Sequence, residues 1–149
     1  MEFCSSVLEI NLASVRHNCS VYINTAGVPI MAVVKADAYG CGAVAIAKAA
    51  EAAGIEAFAV ARVGEAKILR EAGIREPILV FNAFTQDEID FGVAADLILT
   101  LNSFEMIDKL VNAADRQKKK ALVHLKVDTG MGRFGVFPAE AGKTPNRPI

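Results

Sequence analysis

Five short apolar runs recur along the chain, each followed by a segment in which apolar residues have helical spacing. Runs of this length are typical of buried strands, and the segments between them are long enough to form helices. The steps are about 20–25 residues long, which is the strand–helix alternation of an α/β protein and not an array of short repeats. The predicted strands are residues 29–35, 57–61, 77–81, 96–101 and 121–127.

Capping patterns mark where several of the helices begin. Asn11 is suited to cap a helix before the first strand. Thr85 and Glu88 form a capping box for the helix after the third strand. A second such pair, Asn102 and Glu105, is expected to open a helix that ends near residue 116.

Strand–helix alternation of this kind suits two architectures. One is a doubly wound open sheet, and the other is a (β/α)8 barrel, of which 149 residues would hold about five units. No GxGxxG pattern follows the first predicted strand, which weakens the case for a dinucleotide-binding open sheet. The alternation alone leaves both architectures open.

The composition and the net charge of the chain exclude some classes of function. An apolar fraction of 53% suits parallel strands that are covered on both faces, and 149 residues are enough for one sizeable core. A net charge of -1 gives no electrostatic case for nucleic acid or for a membrane surface. The lysine run at residues 118–120 is expected to be a solvated helix end.

The three cysteines, Cys4, Cys19 and Cys41, show no CxxC spacing and predict reduced thiols, not disulfides or a zinc site. The amino-terminal residues lack the basic start and apolar run of a signal peptide. No apolar stretch is long enough to span a bilayer. We therefore expect a cytoplasmic protein without a metal centre.

Residues 30–42 read IMAVVKADAYGCG, an apolar run that ends at Lys35 and is followed by a glycine-containing turn. Because side chains alternate along a strand, Met31, Val33 and Lys35 should share one face. In α/β barrels the reactive groups lie at the carboxyl ends of the strands. A strand-end lysine is by itself more often turned to solvent, since lysines are seldom buried unpaired.

Two stretches of the sequence resemble motifs of the alanine racemases. VVKADAYGCG is similar to the family's cofactor-lysine motif, VVKA-(N/D)-AYGHG, and HLKVDTGMGRFG at residues 124–135 is similar to the pattern after the family's fifth barrel strand. The resemblance covers residues 7–138 and selects a partial (β/α)8 barrel that stops before the last three strands. It implies pyridoxal phosphate as cofactor and the interconversion of L- and D-alanine, with D-alanine supplied for peptidoglycan.

The resemblance also implies roles for individual residues. Lys35 would form the Schiff base with pyridoxal phosphate and move the α-proton on one face of the substrate, and Tyr39 would contact the cofactor phosphate. Arg133 would contact the phenolic oxygen of the cofactor and the substrate carboxylate, which suits a planar guanidinium. Lys126 matches a lysine that many family members carbamylate, which would turn a repulsive cation beside Arg133 into an anion. Leu79 is expected either to border the cofactor ring or to be a core residue only.

The remaining polar residues of the two motifs receive simpler interpretations. His124 is expected to be a core or barrel-interior residue without a catalytic role. Asp37 and Asp128 are interpreted as hydrogen-bond acceptors within loops. Cys41 stands where the family motif has histidine, and a small buried cysteine is the favoured interpretation.

Residues 1–138 are interpreted as the N-terminal portion of the barrel and residues 139–149 as an irregular tail. The family's last three strands and its C-terminal β-domain are not contained in the 149 residues, so the chain alone is expected to be inactive. The family's second base is a tyrosine of the partner subunit, which implies a homodimer. An alternative is a non-catalytic pyridoxal phosphate-binding protein of the related single-domain barrels, although the glycine-rich residues 130–135 favour the racemase.

Overall fold

The computed structural model of the chain describes residues 6–142. Parallel strands alternate with helices in this region, as the apolar runs predicted. The strands are β1 (Met31–Val33), β2 (Ala57–Val60), β3 (Ile78–Val80), β4 (Ile98–Leu101) and β5 (Leu122–Leu125). The helices are α1 (Leu12–Ala26), α2 (Lys35–Gly40), α3 (Ala43–Glu51), α4 (Val63–Glu71), α5 (Gln86–Ala94), α6 (Met106–Gln117) and α7 (Pro138–Ala141).

The five strands form one parallel sheet in the order β1-β2-β3-β4-β5. Ala59 lies opposite Leu79, and Thr100 lies opposite His124. A doubly wound sheet reverses its strand order at a switch point, and this sheet has no reversal. Because crossovers between parallel strands are right-handed, the sequential order places the crossover helices on one face. The fold is therefore part of a (β/α)8 barrel, and the open-sheet alternative is wrong.

The core lies between the sheet and the helices that cover it. The middle strands β2 and β3 are almost completely buried, as expected for strands covered on both faces. Burying an aliphatic or aromatic side chain stabilises a fold by about 1.5–3 kcal/mol. The largest fully buried side chains include Phe58, Leu69, Ile74, Ile78, Ile89, Leu97, Leu99 and Leu110.

Two of the predicted helix caps are confirmed. Asn11 Oδ1 accepts the backbone N–H groups of Ala13 (3.0 Å) and Ser14 (3.1 Å) at the start of α1. Thr85 Oγ1 accepts the N–H of Glu88, and the Glu88 carboxylate accepts the N–H of Thr85 at 2.8 Å. The reciprocal pair satisfies donors that an uncapped helix start would leave free.

The capping box predicted at Asn102 and Glu105 is wrong. Helix α6 begins at Met106, four residues after Asn102, and its cap residue Glu105 makes no side-chain capping bond. A capping side chain reaches only the second or third helical residue, so Asn102 is too far upstream. Its Nδ2 and Oδ1 are buried without a partner among the described residues.

Two further expectations need correction, and one is confirmed with an addition. Strand β1 is shorter than residues 29–35, because the backbone turns into a left-handed conformation after Lys35. The lysine run is exposed at the end of α6, as expected, and Lys119 Nζ also donates to Asp96 Oδ1 (2.9 Å) and to the carbonyl oxygen of Ala94 (2.7 Å). The tail begins with the short helix α7, which Pro138 favours because its fixed φ suits a first helical turn. Residues 143–149 of the predicted tail and Cys4 lie outside the described residues.

Within residues 6–142, no helix is long and apolar enough to cross a membrane. The same residues contain no group of three or more histidine, cysteine, aspartate or glutamate side chains that could hold a metal ion. Cys19 and Cys41 are free thiols packed against the core, and burial raises the pKa of Cys19. The interpretation of Cys41 as a small buried cysteine is confirmed in part, because its side chain packs against the core but is only half-buried.

Candidate active site at the carboxyl edge of the sheet

Lys35 is the first residue of α2, whose next four residues form a left-handed turn and not a right-handed helix. Ala36 to Tyr39 all have φ between 51° and 56°, although none of them is glycine. Left-handed backbone costs an L-residue roughly 1–2 kcal/mol, so four in succession require compensation from the surroundings. The N–H of Ala38 donates to the carbonyl of Val34 at 3.0 Å, which closes the turn.

Asp37 ties the end of this turn to the following helix. Its Oδ1 accepts the N–H of Ala43, the first residue of α3, at 2.6 Å. Its carbonyl accepts the N–H of Gly42 at 2.9 Å. The interpretation of Asp37 as a loop acceptor is confirmed, and the aspartate secures the turn against α3.

The loop after β5 is held in a similar way. Asp128 Oδ1 accepts the N–H groups of Gly130 (2.9 Å) and Gly132 (3.1 Å), and these hydrogen bonds keep the pKa of Asp128 below its ordinary value. The loop then returns to the chain, where the N–H of Val136 donates to the carbonyl of Lys126 at 2.9 Å. Asp128 is thus also confirmed as a loop acceptor.

Gly135 allows the returning loop to pass close to the backbone of Lys126 and Asp128. A Cβ at this position would lie 2.8 Å from the backbone oxygen of Lys126 and 2.9 Å from the nitrogen of Asp128. Its φ of 118° is also unfavourable for residues with a side chain. Only glycine fits this approach, and it fixes the base of the loop that carries Arg133.

The two motifs meet in one cleft of about 470 Å³ at the carboxyl edge of the sheet. Its lining includes four of the predicted site residues, which come from the ends of three different strands: Lys35, Leu79, Lys126 and Arg133. The cleft is also lined by residues that the sequence analysis did not single out: Ala61, Phe81, Asn82, Thr100, Leu125 and Phe134. Parallel strands bring their carboxyl ends to one edge, which explains the meeting of distant segments.

Tyr39 differs from the other predicted residues because it lies beside the cleft and does not line it. Its side chain is largely exposed, and its ring centre is 5.9 Å from Lys35 Nζ. A contact between the Tyr39 hydroxyl and a bound phosphate therefore stays a prediction.

His124 faces the cleft, so its placement on the barrel interior is confirmed, but its side chain is exposed and the core interpretation is wrong. Leu79 is 9% exposed and reaches the cleft wall, so it serves the core and borders the cleft at once. Lys35 and Lys126 are half-buried, and Arg133 is exposed.

The charges of the cleft suit an anionic ligand. Among the described residues that line it are three cations, Lys35, Lys126 and Arg133, and no carboxylate. A phosphorylated aldehyde such as pyridoxal phosphate fits this donor set, because lysine is the side chain that condenses with a carbonyl and arginine binds oxyanions in a fixed geometry. The cleft volume lies within the range of small-molecule pockets.

The sequence analysis missed one residue that is bonded to the lysine turn. Glu65, in the first turn of α4, accepts the backbone N–H of Ala36. A glutamate three residues into a helix is half of a capping-box pattern, but the cap position here is Arg62 and not serine or threonine. The glutamate at this position was the only hint in the pattern that Glu65 binds backbone N–H groups. The pattern could not indicate the bond to Ala36 in a distant loop.

A partial (β/α)8 barrel with a lysine and an arginine at the carboxyl edge of its strands defines the class to which the molecule belongs: barrel proteins with a lysine-bearing cleft at the ends of their strands. Comparison with known proteins then identifies the family. The model of the alanine racemase N-terminal domain matches residues 10–146, and the chain belongs to this family. The resemblance proposed from the two motifs is confirmed.

Curated relatives support the same assignment. The chain is 44% identical over 136 residues to an alanine racemase of Desulforamulus reducens, covering 90% of the chain and 37% of the relative. It is 40% identical over 143 residues to an alanine racemase of Geobacter sulfurreducens, covering 95% of the chain and 37% of the relative. The chain thus spans little more than a third of the length of these relatives.

Solved structures support the fold. An alanine racemase from E. faecalis has a TM-score of 0.79 and 37% identity, covering 85% of this chain and 35% of its own. An alanine racemase from Bacillus anthracis with bound L-Ala-P has a TM-score of 0.79 and 34% identity, covering 89% of this chain and 35% of its own. The described strands and helices therefore correspond to part of the alanine racemase barrel.

Proposed function

We propose that the chain provides the lysine-bearing part of an alanine racemase active site, which interconverts L- and D-alanine with pyridoxal phosphate. The observation that carries the proposal is the meeting of Lys35 and Arg133 in one cleft, although 97 residues separate them in the sequence. Membership of the alanine racemase N-terminal domain family supports the choice of substrate.

The residues of the cleft have separate tasks in this proposal. Lys35 Nζ would hold the aldehyde of the cofactor and, once its amine is released from that group, would take and return the α-proton on one face of the amino acid. Arg133 would orient oxyanions of cofactor and substrate through its planar guanidinium. Leu79 would border the cofactor ring, and the Tyr39 hydroxyl would contact the phosphate. When bound, pyridoxal phosphate supplies the electron sink that makes the α-proton acidic.

Lys126 needs a different explanation, because a cation that lines the cleft with Arg133 repels it. We propose that Lys126 carries a carbamyl group, which makes it an anion that can hold the arginine. Racemisation also needs proton transfer on the opposite face of the α-carbon, and we assign that step to a residue of a partner subunit. The working protein is accordingly a cytoplasmic homodimer that supplies D-alanine for peptidoglycan.

The test uses the protein encoded by the whole gene, with alanine turnover followed by a coupled D-amino-acid oxidase assay. Lys35→Ala should lower kcat/KM by about 10²–10⁴-fold, the usual contribution of a positioned acid or base. Lys109→Ala, at an exposed position of α6, is the matched control and should leave turnover unchanged. Unchanged turnover in Lys35→Ala would remove the lysine from the mechanism. Cofactor binding at Lys35 without alanine turnover would favour the non-catalytic pyridoxal phosphate-binding protein.

A further inference from the structure

One carboxylate connects the lysine turn to the neighbouring loop. Glu65 Oε1 accepts the N–H of Ala36 at 2.7 Å. Glu65 Oε2 accepts the N–H groups of Ala61 at 2.8 Å and of Arg62 at 2.9 Å. Both oxygens are therefore used, one on the segment after β1 and the other on the segment between β2 and α4.

The bond to Ala36 acts on the backbone of Lys35. The peptide unit between these residues is planar and contains both the Lys35 carbonyl and the Ala36 N–H. Holding that N–H in place fixes ψ of Lys35 and φ of Ala36, the two soft dihedral angles on either side of the unit. Those angles set how the Cα–Cβ bond of Lys35 is oriented relative to the cleft.

The other oxygen of Glu65 binds a residue that lines the same cleft. Ala61, whose N–H is bonded to Oε2, lines the cleft together with Lys35. Glu65 itself belongs to the first turn of α4, whose buried residues Val63, Ala66 and Leu69 pack into the core. The carboxylate thus fixes the position of Lys35 relative to α4, a helix packed into the core, and not relative to another loop.

A capping role alone does not account for these contacts. Glu88 in α5 occupies the same third helical position, is likewise half-buried, and accepts the N–H of its own cap residue Thr85 at 2.8 Å. The Glu88 carboxylate bonds to Thr85 at its own helix start, whereas Glu65 reaches Ala36, 29 residues away in the sequence. Comparison of the two glutamates therefore separates capping from positioning.

We propose that Glu65 is a positioning residue for Lys35: its carboxylate clamps the left-handed turn against α4 and thereby directs the lysine amine into the cleft. The functional part of this inference rests on the proposed function. The structural part, the clamp between Ala36 and α4, stands independently of any cofactor.

The test compares Glu65→Gln with Glu88→Gln. Glutamine has nearly the shape of glutamate but only one side-chain oxygen, and its NH₂ group cannot accept a hydrogen bond. The oxygen will stay with Ala61 and Arg62, where it satisfies two donors, so the NH₂ group will face the N–H of Ala36. Glu88→Gln disturbs a helix cap of the same kind at a distance from the lysine.

The first measurement is amide hydrogen exchange followed by NMR, without cofactor. In Glu65→Gln, protection should be lost at Ala36 and kept at Ala61, whereas Glu88→Gln should leave both unchanged. Equal protection of Ala36 in wild type and Glu65→Gln overturns the clamp. Free exchange of Ala36 in the wild type overturns it as well, and that result requires no variant to fold.

The second measurement is the rate at which pyridoxal phosphate modifies Lys35, fixed by borohydride and read by peptide mapping. A misplaced amine should lower the maximal rate by about tenfold to a hundredfold while the half-saturating concentration changes little. A variant that was only less stable would not lower the maximal rate while leaving the half-saturating concentration unchanged. A maximal rate equal to that of Glu88→Gln overturns the positioning role.

The two measurements also separate the two proposals. If wild-type Lys35 is not modified at all, the proposed function fails, and amide exchange still decides whether Glu65 is the clamp. If Lys35 is modified at the same rate in all three proteins, the cofactor assignment survives and the positioning role is refuted.

Discussion

Replacing Ala36 with glycine should stabilise the protein, the reverse of the usual effect of adding a glycine. Ala36 is exposed and has φ 51° and ψ 50°, a conformation in which its Cβ is too close to the following carbonyl oxygen. Glycine has no Cβ and adopts this conformation without strain. The N–H that binds Glu65 is retained in the variant.

The expected magnitude follows from two opposing effects. Removing the left-handed penalty gains roughly 1–2 kcal/mol. The greater freedom of glycine in the unfolded chain takes back about 0.4–1 kcal/mol. The difference is about 0–1.6 kcal/mol, so we expect Ala36→Gly to raise the free energy of unfolding by about 0.8 kcal/mol, which corresponds to a Tm increase of about 2–3 °C for a chain of this size.

Ala45→Gly is the matched control. Ala45 is also exposed but lies within α3, where glycine costs about 1 kcal/mol relative to alanine. Urea and thermal unfolding should therefore move in opposite directions in the two variants. A decrease in stability for Ala36→Gly as large as that for Ala45→Gly would refute the strain in the lysine turn.

Three further predictions concern the site. Pyridoxal phosphate followed by borohydride should label Lys35 and no other lysine; a label found mainly elsewhere on peptide mapping would remove Lys35 from the site. Gly135→Ala should destabilise by at least about 1–3 kcal/mol in urea unfolding, since its Cβ would meet backbone atoms at positive φ, whereas Gly64→Ala in α4 has open space and should be neutral or stabilising. Asp128 has a folded-state pKa below its ordinary value, so its contribution to stability is complete above the unfolded pKa and is lost as pH falls through the folded pKa. Limited proteolysis of the loop should therefore accelerate at acid pH, and Asp128→Asn should remove that pH dependence; an equal acid response in wild type and variant would contradict it.

The meeting of Lys35, Leu79 and Lys126 follows from topology once the family resemblance has singled these residues out, whereas Arg133 reaches the cleft through the loop after β5. Once alternating strands and helices give parallel strands, every strand end lies at one edge, and the residue that follows each strand is placed there. The sequential strand order was the missing fact, since alternation alone also suits an open sheet.

The lysine turn could not be predicted from local preference. Alanine and tyrosine strongly prefer right-handed conformations, so nothing in Ala36, Ala38 or Tyr39 indicates four left-handed residues. The conformation depends on bonds to Glu65 and Ala43, which lie outside the turn. Only a three-dimensional structure shows these partners.

The error at Asn102 has a different origin. A polar residue followed three positions later by glutamate also arises by chance, and the pattern carries no information on where the helix starts. The turn at residues 103–105 delays α6 to Met106. A pattern that depends on exact spacing fails when the element boundary shifts by a few residues.

The strain in the lysine turn is compatible with the role proposed for Lys35. In the proposed function the Lys35 amine stays free to reach a ligand, so its position is not secured by bonds to the side-chain tip. Restraint must therefore act through the backbone, and the two carboxylates of Asp37 and Glu65 hold N–H groups on either side of the turn. Each of these bonds involves a charged acceptor, which makes it roughly twice as strong as a neutral one. Together they can offset left-handed strain that alanine alone would not tolerate, and in the proposed function this strain accompanies the positioning of Lys35 through its backbone.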